Sequence, residues 1–386
     1  MKFVDVEVKE LDDQGRGAGI LEGQSVSLPF TIPGEIVRVF PGKVPKGKNR
    51  TDPGPLEIRR PSPDRVQPPC PYYSRCGGCQ LQHMSYERQL IEKEAWLRRL
   101  AAGVVEPQKI RPVMASPRDY HYRRRVQFQV GPAGEVGFYA YHSQKVVGID
   151  ACLLAQDAIN ASLPEVRGKA REILASPRRP TLLSFEVTAG EDGDAEIRLA
   201  KKERSFLQIN PGANEKLLSF LESVLAEAGA GRALELFAGE GNLSSRLSVL
   251  EREWTAVESN PHAVAKGKNR LPRIHWVVAE VGEFLSDAAR RGETWDVVLL
   301  DPPREGAKDS MTFLLKLSPA RIVYISCQPK TLIRDLRALR DGGYEVEFLQ
   351  PFDFFPQTMH LETVAVLSRP GTSGNARVSR DPKAQS

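Results

Sequence analysis

The sequence predicts an α/β protein, a parallel, doubly wound sheet in its C-terminal half preceded by a β-rich N-terminal part. Three observations predict it. From Phe206 onward short apolar strands alternate with helical stretches, the pattern of a parallel sheet built by crossover helices. Those strands are continuous apolar runs, as required when helices cover both faces of the sheet. The first 61 residues, by contrast, hold only short strands punctuated by Gly turns, as in a small β-barrel.

In order along the chain, Val4–Val8 alternates, Gly15–Gly19 reads as a turn, and Val26–Phe30 and Glu35–Phe40 are strand-like. Pro41–Pro55, rich in Pro, Gly and Lys, reads as a loop. Residues 62–85 form a cysteine-bearing loop. Tyr86–Ala101 then places Tyr86, Leu90, Ile91, Leu97 and Ala101 at helical spacing. From Tyr122 to Leu199 strand-like pieces dominate: Val126–Val130, Gly137–Tyr141, Leu182–Val187 and Glu196–Leu199. A helix over Ala213–Ala228, ended by Gly229, precedes strand Ala233–Phe237. Strands recur at Trp254–Glu258, Ile274–Ala279, Trp295–Leu300 and Arg321–Ser326. Asn260 as cap with Pro261 at the first helical position opens one of the intervening helices. Tyr344–Leu349 and Thr363–Leu367 close the pattern, and Arg369–Ser386 reads as a disordered tail.

At 386 residues the chain suits two or three domains of roughly 100–200 residues each. It is 41% hydrophobic and 27% charged, enough for proper cores. No apolar run reaches the roughly 18 residues of a membrane span, and the charged start Met1–Glu7 has no apolar signal core, so a cytoplasmic protein is expected. The net charge of +5 is modest, but eight Lys/Arg against two acids fall between Arg98 and Arg125, with Tyr120, His121 and Tyr122 beside Arg123–Arg125. Basic groups neutralise phosphates and rings stack on splayed bases, which points to RNA; a solvated basic face is the commoner meaning of such a run.

Four features carry chemistry. Glu235–Asn242 holds a Gly-x-Gly turn between strand and helix, and Glu258 ends the next strand, where a carboxylate can accept both hydroxyls of a ribose. Asp301-Pro302-Pro303-Arg304 follows the fourth strand and Ser326-Cys327-Gln328-Pro329 the fifth. Phe237, Glu258, Asp301 and Cys327 therefore fall on the carboxyl edge of one sheet, where ligands of open α/β sheets bind. Cys327 precedes a helix expected to open near Thr331, whose N-terminus would lower the thiol's pKa, as a nucleophile requires. Glu362, ending Phe355–Glu362, is placed to reach the same pocket as a base. Separately, Cys70, Cys76 and Cys79 form a C-x5-C-x2-C cluster with Cys152 apart; in a cytosolic protein this argues for metal, and four thiolates would suit zinc on chemistry alone.

Together, Gln208-Ile209-Asn210, the Gly-rich turn, Asp301–Arg304, Ser326-Cys327 and Phe355–Glu362 resemble the RNA uracil-5-methyltransferase family, from about Val4 to Leu367. The resemblance implies a Rossmann-like class I methyltransferase domain (206–368), an N-terminal OB-like, RNA-binding TRAM barrel (1–61) and a mixed central domain with an iron–sulfur loop (62–205), followed by the tail 369–386. It implies Cys327 as nucleophile and Glu362 as base, with S-adenosylmethionine contacted by Gln208, Phe237, Asn242, Glu258 and Asp301. It also implies a 4Fe–4S cluster on Cys70, Cys76, Cys79 and Cys152, either structural or redox-sensing. Barrel and cluster together favour 23S rRNA as substrate, with tRNA, or a non-catalytic RNA-binding role, as alternatives. A monomer forming 5-methyluridine is expected. Ala238 and Leu243 depart from the family pattern, and Glu280-Val281 matches it poorly, so no adenine contact is assigned there. Arg304 stands where a cytosine-5 enzyme would place a second cysteine, which favours uracil.

Overall fold

The structure is a computed structural model; it describes residues 3–39, 57–176, 180, 182–190, 192–200, 208–226, 231–248 and 252–370. The Pro41–Pro55 loop, Phe206, the helix end at Gly229 and the tail from 371 lie outside the described residues. The chain divides into two compact units. One comprises 1–99, 113–215 and 352–361, the other 100–112, 216–351 and 362–386. The expected domains 1–61 and 62–205 thus fall in one unit, which also takes in residues 352–361 from far along the chain.

In the first unit, β1 (Val4–Glu7), β2 (Glu10–Leu11), β3 (Gly17–Leu21), β4 (Gln24–Leu28), β5 (Ile36–Val39) and β6 (Glu57–Arg60) form two three-stranded sheets, β1-β5-β6 and β2-β3-β4. Their inward residues Val6, Val8, Leu21, Val26, Leu28, Val37 and Val39 share one core. Only Gly15 of the expected Gly15–Gly19 turn lies in a turn, at φ +72°. Gly17 and Gly19 are strand residues at points of close approach: a Cβ on Gly17 would stand 2.6 Å from Val8 Cγ1, and one on Gly19 2.5 Å from Val6 Cγ1. Glycine here serves packing between sheets rather than turning.

After α1 (Tyr86–Ala101), a five-stranded antiparallel sheet β11-β10-β7-β8-β9 is built from β7 (Arg125–Val130), β8 (Val136–Tyr139), β9 (Val146–Gly148), β10 (Leu183–Ala189) and β11 (Ala195–Leu199). The helices α2 (Asp157–Ala161) and α3 (Leu163–Ala175) between β9 and β10 were not expected; Leu163, Val166 and Ala170 at helical spacing pack on this sheet's core. The buried face of α1 also differs from expectation. Ile91 is 59% exposed, whereas Gln89, Glu92 and Lys93 are buried beside Trp96 and Leu97. Lys93 Nζ donates to Asp353 Oδ1 at 2.6 Å and to the Phe355 carbonyl at 3.2 Å.

The helix α4 (Pro211–Ala226) passes into the second unit at Lys216. The strands of that unit are β12 (Gly231–Leu236), β13 (Arg252–Glu258), β14 (His275–Val278), β15 (Val297–Leu300), β16 (Arg321–Ser326), β17 (Glu345–Phe352) and β18 (Glu362–Ser368), in the order β14-β13-β12-β15-β16-β18-β17. The first five run parallel and β18 antiparallel to β16. The helices α5 (Ser244–Leu247), α6 (Pro261–Arg270), α7 (Val281–Arg291), α8 (Met311–Leu317) and α9 (Pro329–Asp341) connect them. Chain order reverses between β12 and β15, which makes their carboxyl ends the switch point at which such sheets bind ligands. Within β12, Glu235 is buried; it accepts from Ser244 Oγ and, at 3.3 Å, from Trp254 Nε1. Burial, outweighing these two hydrogen bonds, pushes its carboxyl up to about 7.

Two stability experiments follow. Lys93→Met strips a buried carboxylate of its counter-charge and should cost about 3 kcal/mol or more, read as a lower melting temperature. Lys93→Met/Asp353→Leu, which removes both charges, should melt above the single variant. A double variant no more stable than the single would mean the pair is not the source of the loss. For Glu235, a carboxyl raised from its ordinary range favours the folded state while protonated. That contribution is full below about 4.5 and is lost as pH rises through about 7. Glu235→Gln should therefore gain on the wild type by up to about 3 kcal/mol between pH 5 and pH 8.5, measured by thermal melting at both pH values; a pH-independent difference would refute the assignment.

Candidate active site

The reactive edge is assembled by the strand order of the second unit. The antiparallel register pairs Ser326 with Thr363, so the residue following β16, Cys327, faces the residue opening β18, Glu362. Parallel β15 ends at Leu300, paired with Tyr324, and delivers Asp301 to the same edge. Cys327 is half-buried and Glu362 only 7% exposed. Burial pushes the Cys327 thiol up to about 11; the negative charges of Glu362 and Asp301 add to this, and the Arg304 guanidinium opposes it. Burial likewise raises both carboxyl groups, and Asp301 raises Glu362 further.

This corrects one expectation from sequence. Cys327 does precede a helix, which opens at Pro329 rather than near Thr331, but the thiol's pKa is raised, not lowered. Desolvation and two nearby carboxylates outweigh the helix terminus here. The loop between β15 and α8 is held by a network that sequence reading missed. The Ala307 amide donates to Asp335 Oδ2 (2.9 Å) and Tyr324 Oη (3.1 Å), and Tyr324 Oη donates to Asp335 at 2.7 Å, all three residues being buried. Thr331 Oγ1 donates to the Arg304 carbonyl and ties Asp301–Arg304 to the start of α9. The only signal was a tyrosine and an aspartate in otherwise ordinary strand and helix patterns.

On the other side of the switch point, Phe237 adopts φ +61° directly after β12, an uncommon conformation for a residue with a side chain, and Gly239 follows at +56°. The Gly239 amide donates to Glu258 Oε2 (3.0 Å), and the Asn260 amide to Glu258 Oε1 (2.8 Å), so Glu258 braces this turn and keeps lone pairs for a further donor. Asn242 is half-buried, its carbonyl accepting from Ser245 Oγ. A Cβ on Gly239 would meet open space, whereas one on Gly241 would lie 3.0 Å from the Trp276 ring. The first glycine leaves room for a ligand and the second is required by packing. Phe237, Asn242, Glu258, Asp301, Cys327 and Glu362 all belong to the second unit; Gln208 belongs to the first, its side chain accepting from the Ile209 amide.

Also in the first unit, Cys70, Cys76, Cys79 and Cys152 line one pocket together with Arg123. Burial raises the Cys70 and Cys76 thiols and pushes Cys79 up to about 12. Among the described residues, no group of three or more His, Cys, Asp or Glu side chains is placed to hold a single metal ion. The basic stretch expected to face RNA is largely turned to internal partners. Arg98 pairs with Glu94, Arg99 with Glu10 and Arg125 with Glu186; Arg111 lies over the Phe348 ring, and Arg124 donates to the Ala189 carbonyl. Tyr122 is buried and donates to the Pro356 carbonyl, so it cannot stack on a base.

Residues 283–370 match the model of the tRNA (uracil-5-)-methyltransferase family. The chain is 31% identical to the 23S rRNA (uracil(1939)-C(5))-methyltransferase RlmD of Dichelobacter nodosus, over 95% of this chain and 99% of that one, and 30% identical to RlmD of Shewanella amazonensis, over 94% of each. Among solved structures, the Pyrococcus abyssi tRNA (uracil-54, C5)-methyltransferase in complex with S-adenosyl-L-homocysteine shares the fold, with a TM-score of 0.73 at 22% identity, covering 94% of this chain and all of that one. With likeness of this extent to named enzymes, the chain belongs to the S-adenosylmethionine-dependent RNA (uracil-5-)-methyltransferases.

Proposed function

We propose that this enzyme methylates carbon 5 of a uridine in 23S rRNA through a covalent adduct with Cys327, with Glu362 as the base. The observation that carries the reading is the convergence of Cys327, Glu362 and Asp301 on the edge of the sheet beside the Phe237–Gly239 turn. The rRNA substrate follows the RlmD enzymes, with which the chain is alignable over nearly its full length.

S-adenosylmethionine, when bound, supplies a methyl group on a sulfonium. Glu258, Asp301, Asn242, Phe237 and Gln208 are assigned to hold it; the carboxylate at the end of β13 is an acceptor for ribose hydroxyls. Carbon 5 of uracil is a poor nucleophile. The Cys327 thiolate adds to carbon 6, and the displaced electron pair passes to carbon 5 and the carbonyl oxygen. Carbon 5 takes the methyl group as its bond to the sulfonium breaks, the electron pair staying on that sulfur. Glu362 then removes the carbon-5 proton, the 5,6 double bond re-forms, and the bond from Sγ to carbon 6 breaks to return the thiolate. This is covalent catalysis dividing one difficult step into easier ones. A carboxylate whose affinity for protons is raised by burial is the stronger base, which suits Glu362 to a carbon acid. Duplex RNA hides its base edges, so the uridine is unpaired or flipped out.

Residues 1–61 are assigned as a TRAM-like RNA-binding module and 206–368 as the methyltransferase domain. Cys70, Cys76, Cys79 and Cys152 are assigned to a 4Fe–4S cluster, one thiolate to each iron. Four thiols around one pocket support it. A single zinc ion, with Zn–S bonds of about 2.3 Å, would draw its four sulfurs to within about 4 Å of one another. Arg123, lining the same pocket, offsets the charge of four thiolates. No helix of the described residues is long and apolar enough to cross a membrane. The protein is assigned as a cytoplasmic monomer.

Cys327→Ala should abolish methylation while S-adenosylmethionine still binds in calorimetry, and Glu362→Gln should accumulate a protein–RNA adduct on denaturing gels. Undiminished turnover by the Cys327 variant would end the covalent proposal. Protein purified without oxygen should be brown and carry about four irons per chain; stoichiometric zinc with no iron would overturn the cluster assignment.

A further inference from the structure

A groove of about 490 Å³ on the first unit contains none of the residues assigned above to methyl transfer, to S-adenosylmethionine or to the cluster. Its volume is in the range of small-ligand pockets, about 300–1,000 Å³. Four separate pieces of chain wall it: the Asp13-Gln14 turn between β2 and β3, the cysteine loop at Gly77–Gln80, the tip of the β8–β9 hairpin, and Met359-His360.

The walls are locked together by backbone. The Gly77 amide donates to the Tyr139 carbonyl and the Tyr141 amide to the Arg75 carbonyl, so the cysteine loop extends the hairpin. The Gln80 and Leu81 amides both donate to the Gln357 carbonyl. The turn before β3 closes on them so tightly that a Cβ on Gly15 would lie 3.0 Å from Leu81 and 3.4 Å from Met359. Flat rings line this fixed frame. Tyr141 is braced by Phe30 at 5.2 Å between centroids and meets His142 edge-on at 4.2 Å. His360 packs its edge on Phe355 at 5.7 Å. His142 and His360 are exposed, and Asp13 is the one acid among the lining residues.

Exposed rings on a rigid frame, with polar edges and little charge, suit a flat heteroaromatic better than a phosphate. We propose that this groove takes an unpaired nucleotide of the substrate RNA, its base stacked on the rings of Tyr141, His142 and His360. The inference rests on the RNA methyltransferase reading and deepens it: specificity for a loop with a second splayed base would be read here, by residues that take no part in methyl transfer. It also gives the cysteine loop and the β2–β3 turn a shared purpose, since each forms one wall.

The test uses the full-length protein and an unmodified transcript, 23S rRNA or tRNA, that the wild type methylates. His142→Asn, which tolerates the residue's φ of +51°, combined with His360→Ala should raise the Kd for that transcript roughly tenfold, the loss expected for base–aromatic stacking. Its melting temperature and its affinity for S-adenosylmethionine should be unchanged. Wild-type protein irradiated with 4-thiouridine-substituted transcript should cross-link within the peptide 136–145. An unchanged Kd, or a weakened one with no cross-link in that peptide, overturns the groove while leaving the methyltransferase reading intact. Failure of the wild type to methylate any RNA is the separate outcome that removes the foundation itself.

Discussion

The edge that gathers Asp301, Cys327 and Glu362 depends on one antiparallel pairing at the end of a parallel sheet. Crossover helices fix the order β14-β13-β12-β15-β16, and any such sheet brings its loops to one edge. That alone would deliver Phe237, Glu258, Asp301 and Cys327. It would not deliver Glu362, which opens a strand rather than following one. Only because β18 runs against β16, with Ser326 opposite Thr363, does the first residue of β18 arrive beside the residue that follows β16. The placement of Glu362 beside Cys327 is thus set by a single register, and a slip of one residue would turn every side chain of β18 to the other face.

The same edge concentrates acidic groups at a cost that the fold tolerates. Glu235, Asp301, Glu362 and Cys327 all have raised pKa values, each with burial as the first cause. Buried carboxyl groups next to one another disfavour full ionisation. For Glu235 that is a structural cost, softened by Ser244 and Trp254. For Glu362 and Cys327 the charges of neighbouring carboxyl groups add to burial: Asp301 raises both, and Glu362 raises Cys327. Perturbed groups of this kind mark active sites, though Glu235 shows that a buried neighbour can be perturbed without taking part.

Much of the doubly wound sheet was legible because its signals are local. A Gly-x-Gly turn after an apolar run, an Asn-Pro cap and Asp-Pro-Pro after a strand each declare themselves within a few residues. What was misread depends on distance in space. Glycines 17 and 19 read as a turn but serve sheet packing. The apolar residues of α1 gave no sign that Gln89 and Lys93 are buried, because their partners come from residues 352–361. Arg98 to Arg125 read as either an RNA-facing or a solvated basic surface, and the sequence did not show that most of its cations also meet partners within the protein. The raised thiol of Cys327 was missed for the same reason: burial raises it first, and the carboxyl groups of Glu362 and Asp301 that add to this lie far away in sequence.

The segment Phe352–Leu361, which leads to Glu362, has its conformation fixed by partners from several parts of the chain. Asp353 takes the buried ammonium of Lys93, and the Pro356 carbonyl takes Tyr122 Oη. Gln357, at φ +68°, exchanges hydrogen bonds with Gln89 through both its side chain and its amide, while its carbonyl receives two amides of the cysteine loop. Buried polar groups satisfied in this way are costly to rearrange, since any shift leaves several unpaired at once. The residues preceding Glu362 are therefore held from α1, from Tyr122 and from the cysteine loop together.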